Sequence, residues 1–487
     1  MFCFHLTLAS QIEKTMSKLV SAFTNDVLGT LDAVGIAAAI KTGKISAAEA
    51  TEAAINRAEK VNGDLNAIVY KMYEPARSKS RLNSTGDLAG VPSFIKDNDN
   101  VKGAPTQFGT LAFKAGQAKK NTPFVEQFLS TGLNSLGKSS MPEFGLICST
   151  ENPNWGITRN PWNTDYTTGG SSSGSAAMVA SGVVPIASAN DGAGSIRIPA
   201  SCCGLVGLKP SRNRLVNLEG SAFFPINIVY QGVVTRTVRD TAAFYSAAEK
   251  HYRDPKLPEM GFVQNPNQRK LKIAFFENIA EGKMGHSDED TNNTLENTAK
   301  LLSSMGHEVE RLTFPYDIDE LKGPFLSYYG LFAYALKNFG GLMFQAKIDK
   351  KQLEPFTNGL SEQFKSNFFS MRQHLKTLKR IGAQAESLFG KYDIIMTPVL
   401  AHAVPKIGHF SIDLNWDEIS NRAVAFAPFM GLQNVTGSPG ISLPLGTSGE
   451  GLPIGAHFSA PYGQDKLLLE LAYELEEAKP WKFIYNS

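Results

Sequence analysis

Residues 167–210 read TTGGSSSGSAAMVASGVVPIASANDGAGSIRIPASCCGLVGLKP. Two turns of small residues, Gly169-Gly170-Ser171-Ser172-Ser173-Gly174 and Gly192-Ala193-Gly194-Ser195, bracket the apolar Val183-Val184-Pro185-Ile186, and Ile196-Arg197-Ile198-Pro199 follows at once. Flexible linkers are also rich in Gly and Ser but carry no such apolar interruptions. Glycines at a strand-to-helix junction let backbone N–H groups approach a ligand, and serine hydroxyls beside them supply a nucleophile or a proton relay. The plain alternative is two structural turns in a buried region.

The chain around this stretch has 487 residues, 42% of them hydrophobic and 19% charged, enough for a globular protein with an ample core. A net charge of +2 is not the footprint of a nucleic-acid binder. Cys3, Cys148, Cys202 and Cys203 form no CxxC pair and stand beside no histidine cluster, so neither a zinc site nor a disulfide framework is expected. A reducing cytoplasm fits that usage. No apolar run approaches the roughly 18 residues that span a membrane. Residues 1–12 lack a basic segment ahead of their apolar residues, so no secretory signal is expected, and Met1 and Met16 both remain as candidate starts.

Taken in order, the chain alternates α and β. Ser46-Ala47-Ala48-Glu49 is a capping box that opens a helix through Ala50, Ala54, Ile55 and Ala58. Residues 90–97 (GVPSFIKD) read as a strand that runs into Lys96, residues 123–131 as a helix and residues 134–138 as a short strand. Further strands are expected at 271–276, 308–314, 393–397, 440–445 and 453–459, with helices at 288–305 and 464–478. Residues 325–369 differ: eleven Phe and Tyr residues, among them Tyr328, Tyr329, Phe356 and Phe364, lie on a lysine-dotted helical background. Such a stripe reads as core more readily than as pocket.

Three motifs compete for the chemistry. Gly132 to Ser139 (GLNSLGKS) matches the phosphate-loop pattern, which needs a strand before it and a helix after it. Here a helix precedes it, its interior looks like strand, and Pro142 follows. The expectation is a strand ending at Gly137 with Lys138 partly exposed. Gly170 to Gly174 fits the G-x-S-x-G elbow with Ser172 as nucleophile, but residues 163–168 (NTDYTT) are polar and turn-like rather than an apolar strand. Of eight histidines, only His402 and His457 lie near late strands. The third reading pairs a serine with a lysine made basic by desolvation, and Lys96 at the end of an apolar strand is the best candidate.

The segments at 90–98 (GVPSFIKDN), 137–144 (GKSSMPEF), 149–163 (STENPNWGITRNPWN), 169–177 (GGSSSGSAA) and 190–210 together resemble the amidase signature family. DIIMTP (393–398), VTGSPGISLPLG (435–446) and GLPIGAHF (451–458) agree, so the resemblance runs from about residue 30 to 478. It implies an α/β protein: a single α/β/α domain over 30–478 around a mixed twisted sheet. A helical insertion falls at about 318–385, an N-terminal extension at 1–29 and a tail at 479–487. It also implies a Ser-cis-Ser-Lys triad, with Ser195 as nucleophile, Ser171 as relay and Lys96 as base. Backbone N–H groups of Gly192, Ala193, Gly194 and Ser195 would form the oxyanion hole. Asp191 and Arg197 would be a structural pair that fixes the loop.

The departures are informative. Ser173 replaces a glycine of the usual GGSSGGS wording, and Ala193 stands where glycine is common although alanine tolerates positive φ poorly. Pro142 occupies the place where tRNA-dependent amidotransferases carry an acid, which favours a stand-alone amidase over the catalytic component of a glutamyl-tRNA(Gln)-type amidotransferase. The wording at 149–163 and 190–195 is also similar to hydrolases of aminohexanoate oligomers. The expected function is amide hydrolysis of a small molecule, with no metal or organic cofactor, no nucleic acid and no membrane; a homodimer stays open. The rivals are the amidotransferase component, an esterase, nucleotide binding through Gly132–Ser139 and a non-catalytic binding protein.

Overall fold

The segment that ends in Lys96 is a strand buried along its whole length, Pro92–Lys96, and its neighbours set the architecture. The computed structural model describes residues 19–486 except 83–84, 153–154, 267–268, 277–285, 315–317 and 345. Met1, Met16 and Cys3 lie outside the described residues. Among the described residues eleven strands form one mixed sheet in the order Ile68–Lys71, Asn134–Ser139, Pro92–Lys96, Ile186–Asp191, Tyr230–Thr235, Val206–Lys209, Gly440–Thr447, Pro453–Ser459, Ile394–Pro398, Lys272–Phe276, Glu308–Leu312. Every residue of Pro92–Lys96, Val206–Lys209, Tyr230–Thr235 and Pro453–Ser459 is buried. Successive side chains of a strand face opposite sides of the sheet, so both faces are covered and the layers are α/β/α. The strand at one edge, Glu308–Leu312, carries Glu308, Glu310 and Arg311, charges that keep an edge from pairing with another chain.

Local signals place the helices. The capping box at Ser46 forms in full: its Oγ accepts from Glu49 N–H at 3.1 Å and the Glu49 carboxylate accepts from Ser46 N–H at 2.8 Å, opening Ala47–Leu65. Asp288 caps Glu289–Ser304. The small-residue helix Ser173–Ala180 is buried throughout, because Gly174 sits where a Cβ would come within 2.4 Å of Ala67 O and Ser140 N. Ser173, which replaces the usual glycine, fits here because its Oγ donates to Gly169 O and accepts from Thr150 Oγ1, both at 2.7 Å. The aromatic-rich region forms helices Ile318–Met343, Pro355–Ser366 and Met371–Ser387.

Two expectations are corrected. Residues 163–168 are not turn-like: Asn163–Thr167 is a strand paired with Arg159–Asn160. Asn160 fixes the end of this strand, its Nδ2 donating to Thr167 O at 3.0 Å and also to Cys202 O at 2.9 Å. The strand of the phosphate-loop pattern does not stop at Gly137, and Lys138 is not partly exposed. It lies inside Asn134–Ser139 with 0% exposure, its Nζ 3.0 Å from Asp97 Oδ1 and donating to Thr106 Oγ1 at 2.9 Å. Strand neighbours on both sides bury it and leave no loop to cradle phosphate.

Lys138→Met strands the Asp97 carboxylate in the interior and is expected to cost about 3–5 kcal/mol in urea unfolding, most of it recovered by adding Asp97→Asn. ATP is expected to leave the melting temperature of the wild type unchanged. A saturable ATP-induced rise would restore the phosphate-loop reading.

Candidate active site

Two parallel strands finish side by side: Pro92–Lys96 delivers Lys96, and Ile186–Asp191 delivers Asn190 and Asp191. Clefts at the carboxyl ends of parallel strands are where α/β sheets bind ligands. The Gly169–Ser172 turn meets them there, with the Gly170–Ser171 peptide cis. Lys96 is wholly buried. Its Nζ lies 2.7 Å from Ser171 Oγ, 3.1 Å from Ser172 Oγ and 2.5 Å from Asn190 Oδ1, and its backbone N–H donates to Ser188 Oγ at 2.8 Å. Burial lowers the pKa of this amine to about 7, against the opposing pull of Asp191 and Asp99.

Ser195 stands in the second turn, just before helix Arg197–Cys203. Its carbonyl oxygen accepts from Ser172 Oγ at 2.6 Å, and the residue lines a cavity. Ser171 and Ser195 share no direct hydrogen bond among the described residues; Ser172 links the two turns instead. Ser172 does not have the surroundings of an elbow nucleophile: it is buried, its Oγ donates to the Ser195 carbonyl, and no histidine among the described residues bonds to it. His457 lies elsewhere in the core, its Nε2 3.2 Å from Arg197 and its Nδ1 3.0 Å from Thr397 Oγ1. Burial and the Arg197 charge hold its pKa far below the ordinary histidine value.

The second turn is clamped from beneath. Asp191 and Arg197, both 0% exposed, form a two-pronged pair at 3.0 and 3.1 Å. Burial alone would raise the Asp191 pKa, but the Arg197 charge and hydrogen bonds, with those of Asn434, hold it well below the usual carboxylate range. Asn434 Nδ2 donates to Asp191 Oδ1, Asp191 O and Ile228 O, each at 2.9 Å, while its Oδ1 accepts from Arg197 at 2.8 Å. The Gly194 N–H donates to Asp191 Oδ1 at 2.7 Å, so this member of the expected oxyanion hole is already engaged. The N–H groups of Gly192, Ala193 and Ser195 have no such partner among the described residues. Ala193 fits because the positive φ of the turn, 112°, falls on Gly194 instead.

The cavity beside Ser195 is about 100 Å³ and lined mainly by apolar side chains, including Cys148, Ile198, Phe325, Tyr329 and Phe356, with Lys322 and no acidic residue. The aromatic stripe is thus divided: Tyr328 and Phe364 are core, whereas Phe325, Tyr329 and Phe356 are wall. Sequence reasoning missed Asn190, Ser188 and Asn434 as parts of the site. Asn190 falls within a family-like segment, but nothing local marks an asparagine as a partner for Lys96 or Asp191.

A model of the amidase family matches residues 49–469. The chain belongs to the amidase family. An amidase-family relative from Mycobacterium leprae, assigned as the amidase AmiC, is 44% identical over 95% of this chain and 98% of its own. The 6-aminohexanoate-cyclic-dimer hydrolase of Paenarthrobacter ureafaciens is 30% identical over 92% of this chain and 95% of its own. A solved structure of a 6-aminohexanoate cyclic dimer hydrolase complexed with substrate superimposes with a TM-score of 0.85 at 28% identity, covering 93% of this chain and 97% of that one. This amidase hydrolyses amide carbon–nitrogen bonds. None of its described helices is long and apolar enough to cross a membrane.

Burial raises the thiol pKa of Cys148, Cys202 and Cys203. All three are expected to resist iodoacetamide at mildly alkaline pH in the native protein and to react once it is denatured, as read by mass spectrometry. Alkylation of native Cys148 at the rate of a free thiol would show that the cavity wall opens to solvent.

Proposed function

We propose that this amidase acts through a serine acyl-enzyme in which Ser195 is the nucleophile, Ser171 the relay and Lys96 the base. The observation that carries the reading is the buried Lys96 amine, 2.7 Å from Ser171 Oγ with no carboxylate among its contacts. A lysine serves as a base only when neutral, and burial makes that form accessible near neutral pH. Ser195 Oγ attacks the amide carbonyl carbon while its proton passes to Ser171 and the Ser171 proton passes to Lys96. The N–H groups of Gly192, Ala193 and Ser195 receive the negative charge that forms on the carbonyl oxygen. Collapse expels the amine, which takes a proton back along the same relay. Water then attacks the acyl ester by the same route and releases the carboxylate.

The substrate class follows from the cavity. Its lining carries no acidic residue to pair an α-ammonium group, and Glu143, which does not line it, is held by Thr110 Oγ1 at 2.7 Å and by the Glu354 N–H at 2.9 Å. Amides with apolar or aromatic acyl groups suit it better than glutamine. The aminohexanoate named in the relatives, with its run of methylenes, is of that kind. In the same reading residues 30–478 are one catalytic domain, 318–385 cap the cavity, and the enzyme works in the cytoplasm on small amides without a cofactor.

A fluorophosphonate probe is expected to modify Ser195; an adduct on Ser172 instead would contradict the assignment. The neutral lysine is the active form, so kcat/KM is expected to rise with pH along a one-proton limb centred near 7. Lys96→Ala should remove the limb and lower kcat/KM by roughly 10²–10⁴-fold. Lys96→Arg should not restore it, because guanidinium keeps its proton. A wild-type pH profile in Lys96→Ala would make the lysine structural. Across a panel of amides, aryl and medium-chain acyl amides should exceed glutamine in kcat/KM, and equal turnover of glutamine would contradict the apolar reading.

A further inference from the structure

The three oxygens around Lys96 Nζ differ in what they can give and take. Asn190 Oδ1, at 2.5 Å, is an amide carbonyl oxygen and can only accept. Ser172 Oγ, at 3.1 Å, spends its own proton on the Ser195 carbonyl at 2.6 Å, so it too accepts from the lysine. A neutral amine has two N–H bonds and one lone pair, and these two acceptors claim both N–H bonds. The remaining tetrahedral direction is the lone pair, and the remaining neighbour is Ser171 Oγ at 2.7 Å.

We propose that Asn190, together with Ser172, is a positioning residue that aims the Lys96 lone pair at the Ser171 hydroxyl without placing a charge against the amine. The proposal rests on Lys96 being the base. The fold supports the placement. Ser188 and Asn190 are two apart on one strand and so face the same side of the sheet. Ser188 accepts from the Lys96 backbone N–H while Asn190 accepts from its side chain, so one strand fixes both ends of the lysine. Had the residue at 190 been an acid, its carboxylate would have favoured the ammonium form and withheld the base.

Two carboxylates act on the amine from further off, and neither touches it. Asp191, at the end of the strand that carries Asn190, is neutralised by Arg197. Asp99, on the loop after the lysine's own strand, accepts from Thr122 Oγ1 at 3.0 Å and from Gln231 Nε2 at 3.3 Å. Position 190 therefore decides what charge lies directly against the nitrogen.

Asn190→Asp tests this through the pH profile of kcat/KM, with fluorophosphonate labelling rate as a second readout and the melting temperature as the check on folding. The limb is expected to move upward by about one to two pH units, so that activity near pH 7 falls about five- to fiftyfold and at least about half of it returns by about pH 9. A loss that is uniform across pH, with the midpoint unmoved, would overturn the proposal and mark Asn190 as structural only. If Asn190→Asp does not fold, Asn190→Leu takes its place. Without an acceptor, kcat should fall about tenfold or more while KM stays within about threefold; an unchanged kcat would overturn the proposal. Failure of the underlying reading looks different: Lys96→Ala itself would then keep the wild-type limb.

Discussion

Burying a lysine amine is costly unless something in the interior replaces water, and this fold does so in three ways. Lys96, Lys138 and Lys209 are each 0% exposed. Lys138 lies against the Asp97 carboxylate, an ion pair whose removal from one side leaves a stranded charge. Lys209 lies 3.7 Å from the centre of the Tyr230 ring and donates to Pro210 O at 2.8 Å. Lys96 has only hydroxyl and amide oxygens around its nitrogen. Of the three, it alone has serine hydroxyls in hydrogen-bond contact, and burial lowers its pKa to about 7; the proposed chemistry follows from that pairing.

Such an amine needs rigid surroundings, and the Asp191–Arg197–Asn434 cluster provides them. Arg197 reaches Asp191, the Met430 carbonyl, Gln433, Asn434 and His457, joining the second turn to the last third of the chain. Five-donor guanidinium geometry suits this task and a lysine would not replace it. The same cluster engages the Gly194 N–H, leaving Gly192, Ala193 and Ser195 as the candidate donors toward a substrate oxygen. Packing, charge and catalytic geometry meet in one loop, so a change at Asn434 acts on the site without touching substrate.

Much of this was legible in the sequence because it is local. The Ser46 box, the strand entering Lys96 and the two small-residue turns are short-range patterns with short-range causes. What could not be read depends on partners far along the chain. Lys138 looked exposed because its strand seemed to end at Gly137, and only sheet neighbours at 68–71 and 92–96 explain its burial. The polar 163–167 strand was hidden because it lacks apolar alternation, and its pairing with Arg159–Asn160 and the Asn160 bond to Thr167 O emerge only in the fold. Asn190 carried no local mark of its role, since an asparagine gains one only when a parallel strand sets a lysine beside it. The aromatic stripe could not be divided into core and cavity wall from periodicity alone, because Phe325 and Tyr329 gain their second role from Ser195 and Ile198 across the cavity.

The central claim, that the Lys96 amine is neutral in a substantial share of resting molecules near neutral pH, is open to direct measurement. With lysine side chains isotopically labelled, NMR titration of the free enzyme follows each amine through its own midpoint, and the spectrum of Lys96→Ala identifies the resonance of residue 96. This resonance is expected to titrate near 7, more than three pH units below an ordinary lysine. A Lys96 resonance that stays fully protonated to about pH 9 would contradict it.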